Sequence, residues 1–292
     1  MNADGSVPPQ ARPLGLKEGL FDMKKLWETE MPPINWEGYL YGKLFSCADF
    51  NCFLYVRNSG LELLCFTNEG HILQQKNFSN CNPDIADLWR TSNADPNVIV
   101  CGKNLAFYMD TLSLLIDPSA KILEGYRANE KHLTDDPFYF GDYRIEHKGE
   151  FGFRCTKAET QNKIWEISLN GYLYRDLMFF PETNSVLICT AGHGGSVYSI
   201  DIDSGEKRFE IKTGGTQDIV MIGNKLYCYR LGKKGSLLEA DIHTGVVLNE
   251  QPLYEVDLNS PLQKTSDSIL FTVSRKRINK VKQIPVLNGF EL

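Results

Sequence analysis

The order of apolar and polar positions repeats at an interval of 40 residues in the second half of the chain. Residues 195–205 read Gly-Ser-Val-Tyr-Ser-Ile-Asp-Ile-Asp-Ser-Gly, and residues 235–245 read Gly-Ser-Leu-Leu-Glu-Ala-Asp-Ile-His-Thr-Gly. Both segments begin with residues that favour strands and end with the Asp, Ser, Thr and Gly residues that favour tight turns. Each segment therefore predicts a strand followed by a turn.

Further copies of this pattern begin near residues 60, 110, 162 and 279. The copy at 60–70 keeps both glycines, and the copy at 163–171 is shortened. A period near 40 residues in a strand-rich sequence is typical of a β-propeller, an all-β fold in which each repeat forms one four-stranded blade. The copies predict six blades, with seven as the alternative if residues 82–96 or 130–145 contain a further set of strands.

The last copy lacks an outer strand of its own, because only residues 290–292 follow it. The segment 24–30, Lys-Lys-Leu-Trp-Glu-Thr-Glu, resembles the outer strand 206–212, Glu-Lys-Arg-Phe-Glu-Ile-Lys. Since an open sheet edge favours aggregation, a ring of blades has to close. We expect the N-terminal strand, at residues 20–30, to complete the blade that begins near residue 260. This assigns residues 15–292 to a single propeller domain, and leaves residues 1–14 as a disordered segment rich in Asn, Asp, Gly and Pro.

The charge balance argues against a nucleic-acid-binding protein. The chain has 31 basic and 37 acidic residues and a formal charge of −6, whereas nucleic-acid binding requires concentrated positive charge. One basic cluster is present, formed by Arg275, Lys276 and Arg277 with Lys280 and Lys282. Because this cluster is short, we interpret it as a solvated hairpin tip rather than a phosphate-binding patch.

The cysteines predict a reducing compartment. None of the eight belongs to a C-x-x-C pair, and several lie inside predicted strands, where cysteine acts as a small buried apolar residue. The N-terminal segment lacks the apolar core of a secretory signal, and no apolar run is long enough to span a membrane. We therefore expect a cytoplasmic protein that does not bind membranes.

The repeated motif resembles the blades of quinoprotein-like propellers, the PQQ-type and WD40-like repeat proteins. In that family the pattern is Gly, a small residue, Val, Tyr, Ala, Leu and Asp, then Gly and Lys or Glu before a Trp. Asp201 and Gly205 match the family Asp and the turn glycine, Phe209 stands at the Trp position, and Trp27 is the candidate equivalent in the closing strand. The resemblance implies the fold. No residues of this chain match the family's quinone and calcium sites, so we predict no cofactor.

No motif for catalysis or metal binding emerges from the sequence. The five histidines lie far apart without metal-ligand spacing, and no G-x-S-x-G nucleophile motif is present. Asp201 and Asp241 recur at one position of the repeat, so we interpret them as turn residues, and His243 as well. Aromatic and acidic residues near blade junctions and in glycine-rich turns are the candidates for partner binding. They are Trp89, Asp135, Asp136, Phe138, Tyr139, Asp142 and His193.

Two functions from different classes remain open at this point. The first is a non-catalytic module that binds another protein, either as a scaffold subunit or as an immunity-type protein that offers negative charge to the basic active-site groove of a bacterial toxin. The alternative is a small propeller hydrolase or lyase that acts on a sugar or lactone. That enzyme would use carboxylates at the mouth of the channel, with Asp135, Asp136 and Asp142 as candidates.

Overall fold

The computed structural model of this chain describes most of the propeller. In the residues it describes, strands form almost all of the regular structure, and Pro181–Thr183 form a 3₁₀ turn. None of the helical segments in this part of the chain is long and apolar enough to cross a bilayer. The described residues are 23–35, 42–46, 50–57, 60–77, 97–101, 104–109, 112–116, 122–127, 137–173, 177–192, 194–216, 218–258, 260–264, 269–280 and 282–291.

The described strands, numbered in chain order, form six antiparallel sheets. The chain begins with β1 (Lys25–Glu30) and β2 (Ile34–Asn35). Sheet I contains β3 (Gly42–Ser46), β4 (Asn51–Arg57), β5 (Gly60–Phe66) and β6 (Ile72–Asn77). Sheet II contains β7 (Asn97–Cys101), β8 (Asn104–Met109), β9 (Leu112–Ile116) and β10 (Ile122–Arg127). Sheet III contains β11 (Phe138–Phe140), β12 (Tyr143–Lys148), β13 (Gly152–Lys157) and β14 (Lys163–Ser168).

The other three sheets complete the set. Sheet IV contains β15 (Tyr172–Leu173), β16 (Met178–Phe180), β17 (Ser185–Ala191), β18 (Gly195–Asp201) and β19 (Lys207–Gly214). Sheet V contains β20 (Ile219–Ile222), β21 (Lys225–Arg230), β22 (Ser236–Asp241) and β23 (Val247–Pro252). Sheet VI contains β24 (Leu262–Lys264), β25 (Ile269–Arg277) and β26 (Lys282–Glu291), together with β1 and β2 from the N-terminal part of the chain.

The closure predicted from the sequence is confirmed. β1 pairs antiparallel with β26, so that Trp27 lies opposite Gly289 and Glu30 lies opposite Val286. The strand order in sheet VI is β1-β26-β25-β24, which makes the N-terminal strand its outer edge. An ion pair of 3.0 Å between Lys24 and Glu291 accompanies this junction.

One strand assignment was wrong. The sequence analysis treated residues 163–171 as a copy of the third strand of a blade, but β14 is the fourth strand of sheet III, and β13 is the third. The four residues at 163–166, Lys-Ile-Trp-Glu, match the outer strands at 25–28, Lys-Leu-Trp-Glu, and at 207–210, Lys-Arg-Phe-Glu. Apolar alternation alone does not distinguish a third strand from a fourth, whereas the aromatic at the third place does.

The described part of the chain contains as many sheets as there are repeats. Residues 130–145 were one candidate location for a seventh blade; of these, residues 138–145 supply β11 and the beginning of β12 in sheet III, and residues 130–136 lie outside the described residues. Residues 82–96 lie outside the described residues, so the number of six blades stays a prediction.

The core lies between neighbouring sheets. One cluster joins sheets VI and I through Phe271, Phe53 and Phe66, and another joins sheets III and IV through Trp165 and Tyr198. Two more clusters join sheet IV to sheet V and sheet V to sheet VI. Sheets IV, V and VI thus each bury both of their faces against described neighbours, as the blades of a propeller do.

Aromatic rings of the outer strands dock on glycines of the next sheet. Trp165 lies against Gly205, Phe209 against Gly245, and Trp27 against Gly70. A β-carbon on these glycines would lie 2.5–2.6 Å from ring carbons, and all three have positive φ angles of 69–80°. Only glycine meets both conditions without strain.

The two tryptophans also donate hydrogen bonds to the turns on which they rest. Trp165 Nε1 donates to the Ile202 carbonyl at 2.8 Å, and Trp27 Nε1 donates to the Asn68 carbonyl at 2.6 Å. Each docked ring therefore fixes the position of a turn in the neighbouring sheet by packing and by a directed bond.

The interpretation of Asp201 and Asp241 as turn residues agrees with their hydrogen bonds. Asp201 Oδ1 accepts from the N–H groups of Asp203 and Ser204 and from the Ser204 hydroxyl. Asp241 Oδ1 accepts from the N–H groups of His243 and Thr244 and from the Thr244 hydroxyl. The repeated aspartate thus closes the turns that carry Gly205 and Gly245, whereas the Thr67 hydroxyl takes this place in the turn of Gly70.

Replacing Trp27 with Ala should lower the free energy of unfolding by about 3–5 kcal/mol, because it removes a docked ring and its hydrogen bond. The matched control is Leu26→Ala on the same strand, where the side chain is 40% exposed. We expect the control to change the free energy of unfolding by about 0.5 kcal/mol or less. Urea unfolding followed by circular dichroism measures both, and equal losses would contradict the role of Trp27 in closure.

Replacing Asp241 with Ala should cost about 1 kcal/mol at pH 7, because three hydrogen bonds to the carboxylate are lost. The Thr244 hydroxyl and the N–H groups of Thr244 and His243 lower the pKa of Asp241. This stabilisation is therefore present above the unfolded pKa of about 4 and is lost as the pH falls through the lower folded pKa. The difference from wild type should shrink below about pH 4 in urea titrations. The control is Glu206→Ala, and an equal pH dependence there would refute the assignment.

Candidate protein-binding surfaces

The structure describes three of the seven side chains that the sequence analysis selected for partner binding: Phe138, Tyr139 and Asp142. The other four, Trp89, Asp135, Asp136 and His193, lie outside the described residues. A common site for all seven therefore stays a prediction.

The three described candidates belong to the hairpin of β11 and β12 but have different surroundings. Phe138 is partly buried and packs against the core cluster between sheets III and IV. Tyr139 lies on the opposite face of the strand and is 61% exposed. Asp142 is exposed in the turn, where its carbonyl accepts a hydrogen bond of 2.7 Å from the Ala158 N–H. Tyr139 and Asp142 are thus available to a partner, whereas Phe138 mainly stabilises the fold.

Asp203 connects the turns of sheets III and IV. The Tyr143 hydroxyl donates a short hydrogen bond to Asp203 Oδ1, and Asn184 Nδ2 donates to Asp203 Oδ2 at 2.7 Å. The hydrogen bond to Asp203 raises the pKa of Tyr143 to about 12, and the Lys157 ammonium lies 4.3 Å from the centre of the Tyr143 ring. These contacts hold the turns at 141–143, 181–184 and 202–206 together at one end of the two sheets.

Exposed carboxylates collect on these turns and on the turn after β13. We call this set the acidic end; it consists of Asp142, Glu159, Glu182, Asp203 and Glu206. Two nearby cations pair with other acids, since Lys207 contacts Glu210 at 2.7 Å and Arg208 pairs with Asp201. The acidic end therefore carries an excess of negative charge that includes Asp142.

A second surface forms where the connection between sheets V and VI pairs with both sheets. Gly232 and Val256 form an antiparallel bridge, and so do Glu255 and Arg275. The Gly235 N–H also donates to the Tyr254 carbonyl at 3.0 Å. Residues 254–256 thus join the hairpin tip of sheet V to the end of β25.

A buried ion-pair network lies beneath this connection. Arg275 is 3% exposed and contacts Glu255 at 2.9 Å and Asp257 at 3.3 Å. Its guanidinium also donates to Gln283 at 3.1 Å, and Arg277 makes two further bonds of 2.9 Å to Glu255. The interpretation of the cluster as a solvated tip is therefore wrong for Arg275, because the chain from sheet V covers it and supplies two carboxylates.

The connected segments concentrate positive charge. We call residues 232–235, 254–257 and 275–280 with Lys282 the cationic surface; it contains seven basic residues and two acidic ones. Both acids pair with Arg275, and Lys276 pairs with Glu30 at 2.9 Å. No described carboxylate lies within 4.0 Å of the ammonium groups of the four exposed lysines, which are Lys233, Lys234, Lys280 and Lys282.

Two exposed apolar side chains accompany these lysines. Tyr254 is 38% exposed and Ile278 is 51% exposed, and the Lys276 ammonium lies 5.9 Å from the Tyr254 ring centre. Sequence reasoning missed this surface because the two basic runs lie about 40 residues apart and meet only through the backbone bridges. The sequence signal that could have revealed the cationic surface was the pair Lys233-Lys234, which lies in a predicted hairpin tip.

Two of the three candidate carboxylates of the enzyme hypothesis, Asp135 and Asp136, lie outside the described residues, so that hypothesis stays a prediction. The described residues include no cluster of three His, Cys, Asp or Glu side chains able to hold a metal ion. A shallow cleft of about 210 Å³ lies between sheets III and IV, lined in part by Tyr198, Lys207 and Glu210. The one carboxylate in this lining, Glu210, pairs with Lys207 and accepts a hydrogen bond from Ser196, so the cleft lacks the pair of carboxylates that glycoside hydrolysis uses.

Comparisons with solved structures find distant likenesses. No protein-family model matches the chain, and no curated protein matches it. BamB from Moraxella catarrhalis shares 13% identity at a TM-score of 0.39, over 85% of this chain and 71% of BamB. The WD40 domain of Toxoplasma gondii coronin shares 8% identity at a TM-score of 0.38, over 91% of this chain and 88% of that domain.

A third similar structure is the quinohemoprotein alcohol dehydrogenase from Comamonas testosteroni. It shares 10% identity at a TM-score of 0.39, over 86% of this chain and 54% of that enzyme. Likenesses at this level carry no argument about activity or partner. The fold is established by the sheets, their strand order and the paired ends of the chain. This chain is a β-propeller, in which the N-terminal strand completes the last sheet.

Replacing Arg275 with Met should lower the free energy of unfolding by about 3–5 kcal/mol, because Glu255 and Asp257 would be left without their buried cation. The control Lys280→Met removes an exposed charge from the same surface and should change the free energy by about 0.5 kcal/mol or less. Adding Glu255→Gln and Asp257→Asn to the Arg275 variant should recover part of the loss. Urea unfolding tests all three, and no recovery would contradict an electrostatic origin.

Proposed function

We propose that this chain is a non-catalytic propeller that binds another protein and that its cationic surface holds an acidic segment of that partner. The observation that carries the proposal is the local excess of positive charge. Four exposed lysines, Lys233, Lys234, Lys280 and Lys282, have no described carboxylate within 4.0 Å of their ammonium groups, in a chain whose formal charge is −6. Complementary charge of this kind speeds association and selects partners.

The exposed apolar side chains favour a protein partner over a nucleic acid. Tyr254 and Ile278 lie beside the lysines, and aromatic and aliphatic side chains act as anchors at the centres of protein interfaces. A nucleic acid presents many phosphates along its length, and the overall negative charge of the chain would repel it. An acidic peptide with apolar residues matches both features of the surface.

The sequence analysis predicted a partner with a basic surface rather than an acidic one. The acidic end of this molecule supports that version. A bacterial toxin with a basic groove would meet Asp142, Glu182 and the exposed ring of Tyr139. This is the immunity-type hypothesis, and it uses a different part of the molecule from the cationic surface. We also propose a cytoplasmic location, because the five cysteines whose side chains the structure describes carry thiols and none of them forms a disulfide.

Fluorescence anisotropy with labelled peptides tests the proposal. One probe is a peptide of Glu and Tyr, the second is a peptide of Lys and Tyr with equal length, and the third is a single-stranded DNA oligonucleotide. The test variant is Lys233→Glu with Lys234→Glu. The matched control is Lys24→Glu with Lys163→Glu, where the side chains are 71% and 63% exposed. Both variants change the net charge equally.

The acidic peptide should bind wild type, and the test variant should weaken its affinity about tenfold, because exposed charge pairs contribute about 0.2–1 kcal/mol each. The control should leave the affinity within about twofold. Equal weakening by both variants would contradict a specific surface, and tighter binding of the oligonucleotide would contradict a protein partner. If the basic peptide alone binds, and Asp142→Lys with Glu182→Lys abolishes that binding, the immunity-type version replaces this one.

A further inference from the structure

We propose that Cys52 and Cys65 are a modification site, at which a small peroxide converts two thiols into a reversible disulfide across sheet I. This inference is independent of the binding surfaces. It rests on the register of two strands and on the distance between two sulfur atoms.

The two cysteines lie directly opposite each other. In the antiparallel pair β4 and β5, Cys52 is the register partner of Cys65, and their Sγ atoms are 3.7 Å apart. Opposed residues in antiparallel strands have Cα separations of about 4.5 or 5.5 Å, and disulfides span Cα separations of about 4.4–6.8 Å. The backbone therefore already has the spacing of a disulfide, and rotation of the two side chains is sufficient to form it.

The pair occupies the face of sheet I that points away from sheet VI. Phe53 and Tyr55 on β4, and Leu64 and Phe66 on β5, pack in the cluster with Phe271 of sheet VI. Since side chains alternate along a strand, Cys52 and Cys65 lie on the other face. Cys65 is 8% exposed and Cys52 is fully buried, so an oxidant from solvent reaches Cys65 first.

The chemistry takes two steps and balances with one peroxide. The Cys65 thiolate attacks a peroxide oxygen and breaks the O–O bond, which gives a sulfenic acid and releases water once the leaving hydroxide takes the thiol proton. The Cys52 sulfur then attacks the sulfenic sulfur, forms the S–S bond and releases a second water. Each cysteine sulfur loses one electron, and hydrogen peroxide gains two. A dithiol reductant reverses the change by exchange.

The other three cysteines with described side chains, Cys155, Cys189 and Cys228, have no cysteine opposite them in the strand register. Burial raises the pKa of Cys155 to about 11, and it raises the pKa of Cys228 as well. A raised pKa leaves less of the thiolate that attacks peroxide. Cys189 and Cys228 lie in the core between sheets IV and V, so they serve as internal controls in the same molecule.

The test treats the reduced full-length protein with increasing hydrogen peroxide and maps disulfides by mass spectrometry of tryptic peptides. Cys47 and Cys52 share one tryptic peptide, so the experiment uses the Cys47→Ser variant to remove that ambiguity. The expected result is a loss of two hydrogens and one linkage between the peptides of Cys52 and Cys65. This linkage should form at a peroxide concentration at least tenfold below that which oxidises Cys155, Cys189 or Cys228.

Single variants separate the role of Cys65, which attacks the peroxide, from the role of Cys52, which attacks the sulfenic acid. Cys52→Ser should abolish the linkage and leave a sulfenic acid on Cys65, detected as a dimedone adduct, whereas Cys155→Ser should leave the linkage unchanged. A linkage that appears only in urea, or that joins Cys65 to another cysteine, would overturn the proposal. The proposal is also overturned if Cys52 and Cys65 remain thiols at hydrogen peroxide concentrations that oxidise Cys155. The peptide map of the protein with intact Cys52 and Cys65 decides the outcome even if a variant fails to fold.

Discussion

An aromatic ring that rests on the bare backbone of a glycine is the contact on which this molecule depends. Trp165, Phe209 and Trp27 make it at three junctions between sheets, and the glycines beneath them also need positive φ angles. One residue type thus satisfies two constraints, the bend of the turn and the close approach of the ring. This explains why a glycine ends the turn after the third strand at all three junctions, whereas the residue at the start of the turn is Asp201, Asp241 or Thr67.

The turns that carry the docked rings and the connection between sheets V and VI are held in place by different contacts. The docked turns hold one another by hydrogen bonds, as the bonds of Asp203 to Tyr143 and Asn184 illustrate. At the other end, the connection between sheets V and VI forms its own backbone bridges. Its two carboxylates neutralise Arg275, which leaves the charges of the surrounding lysines to face solvent.

The sequence predicted the fold better than the surfaces. The interval of 40 residues and the orphan N-terminal strand were sufficient for the propeller and its closure, because turn residues and apolar alternation are local signals. The position of Lys163–Ser168 was misassigned because third and fourth strands share the same alternation, and only Trp165 separates them. The burial of Arg275 was not foreseeable, since it depends on Glu255 and Asp257, which follow an earlier strand. Tyr139 and Asp142 were selected for partner binding because they lie near a blade junction, and both are exposed.

Joining β1 to β26 has a consequence for how the protein is made on the ribosome. The two strands are paired along Lys25 to Glu30, yet about 250 residues of synthesis separate them. At 5–20 residues per second, the N-terminal segment waits roughly 10–50 s for its partner. Over that interval, Trp27 has no finished sheet VI to join, and nascent-chain factors have time to act before the circle is complete.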